Sequence, residues 1–112
     1  FIPSDAELLE IALNFKDEKF KIHKGRILTG DQFIDDRQSK DKSYLTEELS
    51  GDCVEMEGAS VALVATVNHI PHIIIRTISD RADNSIKTNF RKLMQDASEN
   101  SLAIIQHILK NI

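Results

Sequence analysis

Tryptophan is absent, and the 112 residues include one cysteine, two prolines, four glycines and only 5% aromatics. With Cys53 as the single thiol, an internal disulfide and a cysteine-rich zinc site are both excluded. No internal repeat or low-complexity tract is visible. A run of about 18 apolar residues, the minimum for a membrane-spanning helix, is also missing. Nor is there an excess of basic charge: 14 Lys and Arg against 18 Asp and Glu leave a net charge of −4 and a pI near 5.5. That balance argues against a nucleic-acid backbone or an anionic membrane surface as the main partner. His23, His69, His72 and His107 are scattered without the spacing of metal ligands.

What is present is globular. The chain is 41% hydrophobic and 29% charged, a composition that suits one domain or part of one. A chain of this length buries roughly two-thirds of its unfolded surface, enough for a modest core. It opens on Phe1 rather than Met, which reads as a processed piece or a fragment and leaves an upstream signal peptide open.

Ser4 and Glu7 have the spacing of a capping box and predict a helix with Leu8, Leu9, Ala12 and Leu13 as its apolar stripe. Lys21–Thr29 alternates loosely and reads as a strand. Residues 35–52 are polar, with a short helix expected around Ser43–Leu49. Cys53–Met56 is a second strand candidate. Ala59–Val67 is apolar almost all round, so a helix there is expected to be buried on most sides. The β-branched run His72–Ile78 has the character of a central parallel strand. Thr88–Ile112 closes as a long helix with a stripe of Phe90, Leu93, Ala97, Leu102, Ile105 and Leu109. Strands alternating with helices predict an α/β fold with a parallel or mixed sheet. Three strands make a small sheet, which suggests half of a domain.

Each predicted strand ends in acid: Gly30-Asp31, Glu55-Met56-Glu57-Gly58 and Ser79-Asp80. Ligands of open α/β sheets collect at those ends. Such a rim can accept hydrogen bonds from a polyhydroxyl ligand, supply a general acid or hold a hard cation. The simpler explanation is that carboxylates favour helix N-termini, and Glu57 ahead of a helix fits it. Arg76, inside the third strand, needs a carboxylate or ligand partner if buried. Glu55 and Glu57 are the candidates. On pattern alone, Phe33 and Phe90 are core aromatics and Cys53 is a small core residue.

The segments Thr29-Gly-Asp-Gln-Phe-Ile34, Val54-Glu-Met-Glu-Gly58 and Ile78-Ser-Asp-Arg-Ala-Asp83 resemble those of 5′-methylthioadenosine/S-adenosylhomocysteine nucleosidases, in the purine nucleoside phosphorylase-like superfamily. The similarity runs in order across essentially the whole chain and matches the C-terminal half of that family. The Val-Glu-Met-Glu segment is common to the superfamily. Gly-Asp-x-Phe-Ile with Ser-Asp-x-Ala-Asp points to the nucleosidase branch.

The resemblance implies a three-layer α/β/α sandwich around a mixed, largely parallel sheet, with residues 1–112 forming the C-terminal portion of one such domain. It implies that Phe33 stacks on adenine and that the backbone of Ile34 bonds the edge of the base. Met56 then lies under the ribose, Glu57 accepts hydrogen bonds from its hydroxyls and Glu55 lines the same sugar pocket. Asp80 donates a proton or hydrogen bond to adenine N7 with help from Ser79. Arg76 lies near the attacking water, and Phe90 faces the 5′-alkylthio group. No metal or organic cofactor is implied. The implied setting is a cytoplasmic homodimer acting in methionine salvage on a small-molecule nucleoside, with no nucleic acid or membrane partner.

These residue types suit the chemistry. Breaking an N-glycosidic bond puts cationic character on the sugar and negative charge on the departing purine. A protonated Asp80 neutralises the second, worth about 10²–10⁴ in rate for a typical general acid. To hold its proton near neutral pH it needs an apolar pocket or a neighbouring negative charge. Glu57 can bind more tightly as the sugar becomes cationic. In the family, the glutamate that activates water comes from near the N-terminus of the full chain, so these 112 residues alone are expected to be inactive.

Three rivals remain. A purine nucleoside phosphorylase would use phosphate instead of water, although Arg81-Ala82-Asp83 follows Asp80 where hexameric phosphorylases tend to place histidine. A Mg²⁺-dependent phosphotransfer domain also suits acids at strand ends but lacks a glycine-rich phosphate loop. A non-catalytic nucleoside-binding or adhesive protein would keep the pocket without turnover.

Overall fold

A computed structural model describes residues 1–34, 42–78 and 90–112, with Phe90 through its backbone alone. Among the described residues the order is α1 (Ala6–Asn14), β1 (Ile27–Thr29), α2 (Tyr44–Glu47), β2 (Cys53–Glu55), α3 (Gly58–Val67) and α4 (Phe90–Asn111). The expected α/β class is what the chain adopts. β1 and β2 pair in parallel, with Ile27 opposite Cys53, Leu28 opposite Val54 and Thr29 opposite Glu55. The pair is extended at one end by the Gly30 amide on the Glu55 carbonyl, 3.0 Å, and at the other by the Asp52 amide on the Arg26 carbonyl, 2.9 Å.

Helix α1 starts one residue later than the capping box implies. Asp5 is the N-cap, its carboxylate accepting from the Leu8 amide at 3.0 Å. Glu7 therefore falls at the second helical position, where it cannot close the box, and the cap is the Asp5 carboxylate alone, whose charge suits the helix N-terminus. The Asp5 amide donates to the His72 carbonyl at 2.8 Å, tying the start of α1 to the 72–78 segment.

The core sits between α1 and α4. Ala12, Ile104 and Ile108 are buried together, with Leu8, Ile11, Phe15, Phe20, Ile22, Ile73 and Ile75 packed around them. His107 lies at the rim, 3.1 Å from the Ile11 carbonyl and with its ring 5.1 Å from that of Phe15. The stripe expected for α4 is rotated from the observed one. Leu93 and Ala97 are half-buried, but Leu102, Ile105 and Leu109 face outward. The helix carries two apolar faces, and the one containing Ile104 and Ile108 meets α1.

Helix α3 also departs from expectation. Only Gly58, Ala62 and Ala65 are buried, while Val61, Leu63, Val64 and Val67 are exposed. The small residues let the helix lie close against β1, and no other described element packs heavily on it. The 72–78 run forms no strand. Ile73 and Ile75 pack on the core, but no described strand lies beside the segment to form a ladder with it, and a strand exists only through such pairing. The first strand shrinks from Lys21–Thr29 to Ile27–Thr29 for the same reason.

Candidate functional site

The parallel register places Thr29 directly across from Glu55 at the carboxyl ends of β1 and β2. Facing residues on paired strands project to the same side of the sheet. Here the Thr29 hydroxyl donates to Glu55 Oε1. The other oxygen, Oε2, accepts from the Gly58 amide at 2.6 Å and the Glu57 amide at 3.1 Å. The Ala59 amide donates back to Thr29 Oγ1 at 2.9 Å. Three unpaired amides at the start of α3 are thus satisfied by two side chains from the neighbouring strands, as a helix N-terminus requires.

Gly58 makes this approach possible. A Cβ at that position would lie 2.9 Å from Glu55 Oε1 and 3.0 Å from Oε2, so a larger residue would require the carboxylate to shift from its present place. Capping of α3, the simpler role weighed for Glu57, is performed by Glu55. Glu57 occupies the N-cap position without a side-chain cap bond.

Arg76 completes the cluster. One guanidinium nitrogen contacts Glu55 Oε2 and also lies 3.1 Å from Glu57 Oε2. It is not buried within a strand as expected, since its side chain is 37% exposed. Glu55 is covered, with 9% of its side chain exposed, whereas Glu57 is 69% exposed. The first carboxylate is fully engaged inside the protein. The second is held by Arg76 and otherwise open to solvent.

Burial alone would push the Glu55 carboxyl up. Hydrogen bonds from Thr29, from the Glu57 and Gly58 amides and from Arg76 outweigh it and hold the group below its ordinary value. The neighbouring Cys53 thiol is pushed up, first by burial and then by the negative charges of Glu55 and Asp52, with Arg76 opposing. It is half-buried and stays a thiol at neutral pH, which suits a packing role.

Phe33, read from pattern alone as a core aromatic, is 69% exposed in the turn beyond β1. Met56, between the two glutamates, is 44% exposed. An apolar face left open at strand ends is a platform for a flat ligand. A cavity of about 190 Å³ opens at the ends of β1 and β2, lined by residues that include Leu28, Gly30, Ile34, Tyr44, Leu45 and Glu55, with neither Phe33 nor Met56 in its wall. Of the candidates, Ile34 and Glu55 line that cavity. Glu55, Glu57 and Arg76 form one bonded cluster, with Met56 between the acids in the chain. Ser79 and Asp80 lie outside the described residues, as does the Phe90 side chain. Among the described residues, no group of three or more His, Cys, Asp or Glu is placed to hold a metal ion. No described helix is long and apolar enough to cross a membrane.

Two participants went unrecognised in the sequence. Thr29 stands in a quoted motif, but its link to Glu55 depends on strand register. Gly58 stands in another quoted motif, just before the expected helix, and the close approach it permits depends on where the Glu55 carboxylate lies. A hydroxyl residue at one strand end and an acid-x-acid-Gly at another is the signal that could have found both.

Comparison with known proteins narrows the chemistry. An aminodeoxyfutalosine nucleosidase of Campylobacter jejuni is 37% identical over 100 residues, covering 88% of this chain and 43% of that protein. A 5′-methylthioadenosine/S-adenosylhomocysteine nucleosidase of Staphylococcus haemolyticus is 32% identical over 112 residues, covering 96% and 47%. The crystal structure of the 5′-methylthioadenosine/S-adenosylhomocysteine nucleosidase of Campylobacter jejuni superposes with a TM-score of 0.86 at 32% identity, covering 100% of this chain and 48% of that one. The chain thus spans about half the length of the relatives it matches. The phosphorylase superfamily matches residues 1–110, and with a parallel strand pair that brings Glu55 and Glu57 to the start of α3, the chain belongs to that superfamily.

Proposed function

We propose that this chain is the C-terminal portion of a nucleosidase domain that hydrolyses the N-glycosidic bond of 5′-methylthioadenosine and S-adenosylhomocysteine, releasing adenine. The observation that carries the reading is the pairing of a covered carboxylate with an open one. Glu55 is used up in holding the structure, and Glu57 is left 69% exposed beside Arg76. An open carboxylate held by a single guanidinium suits the vicinal hydroxyls of a ribose, which present two donors to its two oxygens. As the sugar becomes cationic that carboxylate binds it more strongly, which is the differential binding that lowers a barrier.

In this reading Phe33 carries the purine face and Met56 the apolar underside of the sugar. Asp80 protonates N7, and Ser79 positions that contact. Arg76 lies near the attacking water, and Phe90 lies against the 5′-substituent. The water-activating group belongs to a part of the domain beyond these 112 residues, and a second copy completes the alkylthio pocket in a homodimer. Because a similar protein is named an aminodeoxyfutalosine nucleosidase, that nucleoside is a third substrate to test.

The test is adenine release from the three nucleosides, with and without phosphate, by the longer protein that carries this chain. Hydrolysis independent of phosphate is expected, and Asp80→Asn should lose turnover while keeping much of its nucleoside affinity. Sugar phosphate as product would turn the reading to a phosphorylase. Equal loss of turnover and affinity in Asp80→Asn would remove the acid role. Turnover by the 112-residue chain alone comparable to that of a full-length nucleosidase would overturn the view that it is incomplete.

A further inference from the structure

We propose that Thr29 is a positioning residue for this site: its hydroxyl locks Glu55 onto the start of α3, and Glu55 in turn sets Arg76 and the open carboxylate of Glu57. The inference rests on the nucleosidase reading for its functional consequence and on geometry alone for the linkage. Thr29 Oγ1 works in both directions, donating to Glu55 Oε1 and accepting from the Ala59 amide at 2.9 Å. It is the one described contact that joins β1, β2 and α3 through a single atom. Glu55 Oε2 then meets the Glu57 and Gly58 amides and the guanidinium that also holds Glu57.

The consequence is geometric. Glu55 is a flexible side chain with two oxygens and several competing donors. If the Thr29 hydroxyl releases Oε1, the carboxylate can rotate toward Arg76 and draw the guanidinium away from Glu57. The residue holding the ribose would then lose the partner that orients it. A carboxylate held by several donors in one direction is pre-organised, and pre-organisation of this kind separates a precise site from a loose one. Among the described residues, the ionisable side chain that bonds Glu55 is Arg76, with Glu57 held through the same guanidinium and Cys53 within reach of the Glu55 charge, and none of them stands on β1 to replace the Thr29 hydroxyl.

Thr29→Val keeps the shape and the β-branched strand preference while removing the hydroxyl. Thr29→Ser keeps the hydroxyl. The first measurement is the NMR titration of the Glu55 carboxyl carbon in this chain. Its midpoint should rise in Thr29→Val and return in Thr29→Ser, with amide spectra showing both variants folded. The second is adenine release by the longer protein, where Thr29→Val should lower kcat by about tenfold, the size of losing one hydrogen bond to a charged group, with a smaller change in KM and recovery in Thr29→Ser. An unchanged Glu55 midpoint in a folded Thr29→Val variant overturns the linkage. A shifted midpoint with unaltered turnover overturns the positioning role. If the midpoint shifts but the unsubstituted protein cleaves no nucleoside, the nucleosidase reading falls and the link from Thr29 to Glu55 stands.

Discussion

Two regions of this molecule are held together by different physics. Between α1 and α4, Ala12, Ile104 and Ile108 are buried with apolar neighbours from α1, the segment that follows it and the 72–78 run. At the start of α3, Thr29, Glu55, Glu57 and Arg76 are joined by hydrogen bonds and charge, with one glycine admitting the carboxylate. Apolar packing is non-directional and tolerates several arrangements of similar volume. A network of charged hydrogen bonds is directional and fails when one member is lost. The first region therefore carries stability and the second carries placement. A site that has to fix a ligand at a defined angle would draw on the second kind.

The sharpest way to break this division is to empty the first region. Ile104→Ala should cost about 2–5 kcal/mol, the range for removing a buried branched side chain and leaving a cavity. Chemical denaturation would measure it. A loss below 1 kcal/mol would mean that the α1–α4 contact does not hold the chain. Next in size, Asp5→Ala removes the cap of α1 and should cost about 1 kcal/mol by the same method, without altering the Glu55 carboxyl titration. A changed titration would show that the two regions are coupled through α1.

Acid should separate them in the opposite sense. Glu55 titrates below its ordinary value in the folded chain. Its contribution is fully present above the unfolded carboxylate pKa and is lost as pH falls through the lower folded one. Hydrogen exchange at the Gly58 and Ala59 amides should therefore speed up, after correction for intrinsic rates, as pH falls through that folded value. The Ile104 and Ile108 amides should respond much less. Uniform acceleration would erase the distinction. The smallest stability effect belongs to Glu57→Gln, an exposed position where a change within about 0.5 kcal/mol is expected. On the proposed nucleosidase reading, turnover by the longer protein should nonetheless fall by about tenfold or more, because the substrate would lose a charged acceptor. Full activity in that variant would remove Glu57 from the site.

Much of this was legible from residues 1–112 as a string. The positions of α1, α3 and α4, the short helix near Tyr44 and the two strand cores follow from caps, periodicity and β-branched runs, which are local signals. Acids at strand ends and an arginine able to pair with Glu55 and Glu57 were equally visible. The burial of α4 was not, because Leu102, Ile105 and Leu109 lie on a stripe as apolar as the one through Ile104 and Ile108. Only the position of α1 chooses between them. The exposure of Phe33 and the one-sided burial of α3 were hidden for the same reason, since hydrophobicity states a preference but does not supply a neighbour.

The sequence by itself determined which segments coil, which extend and which chemical groups gather at their ends, because capping, side-chain spacing and backbone propensity act within a few residues. Tertiary structure alone decided that Glu55 rather than Glu57 caps α3, that Thr29 reaches across to hold it, and that the 72–78 run forms no ladder with a described strand. Those outcomes depend on strand register and on which surfaces meet, and both are set by contacts between residues far apart in the chain.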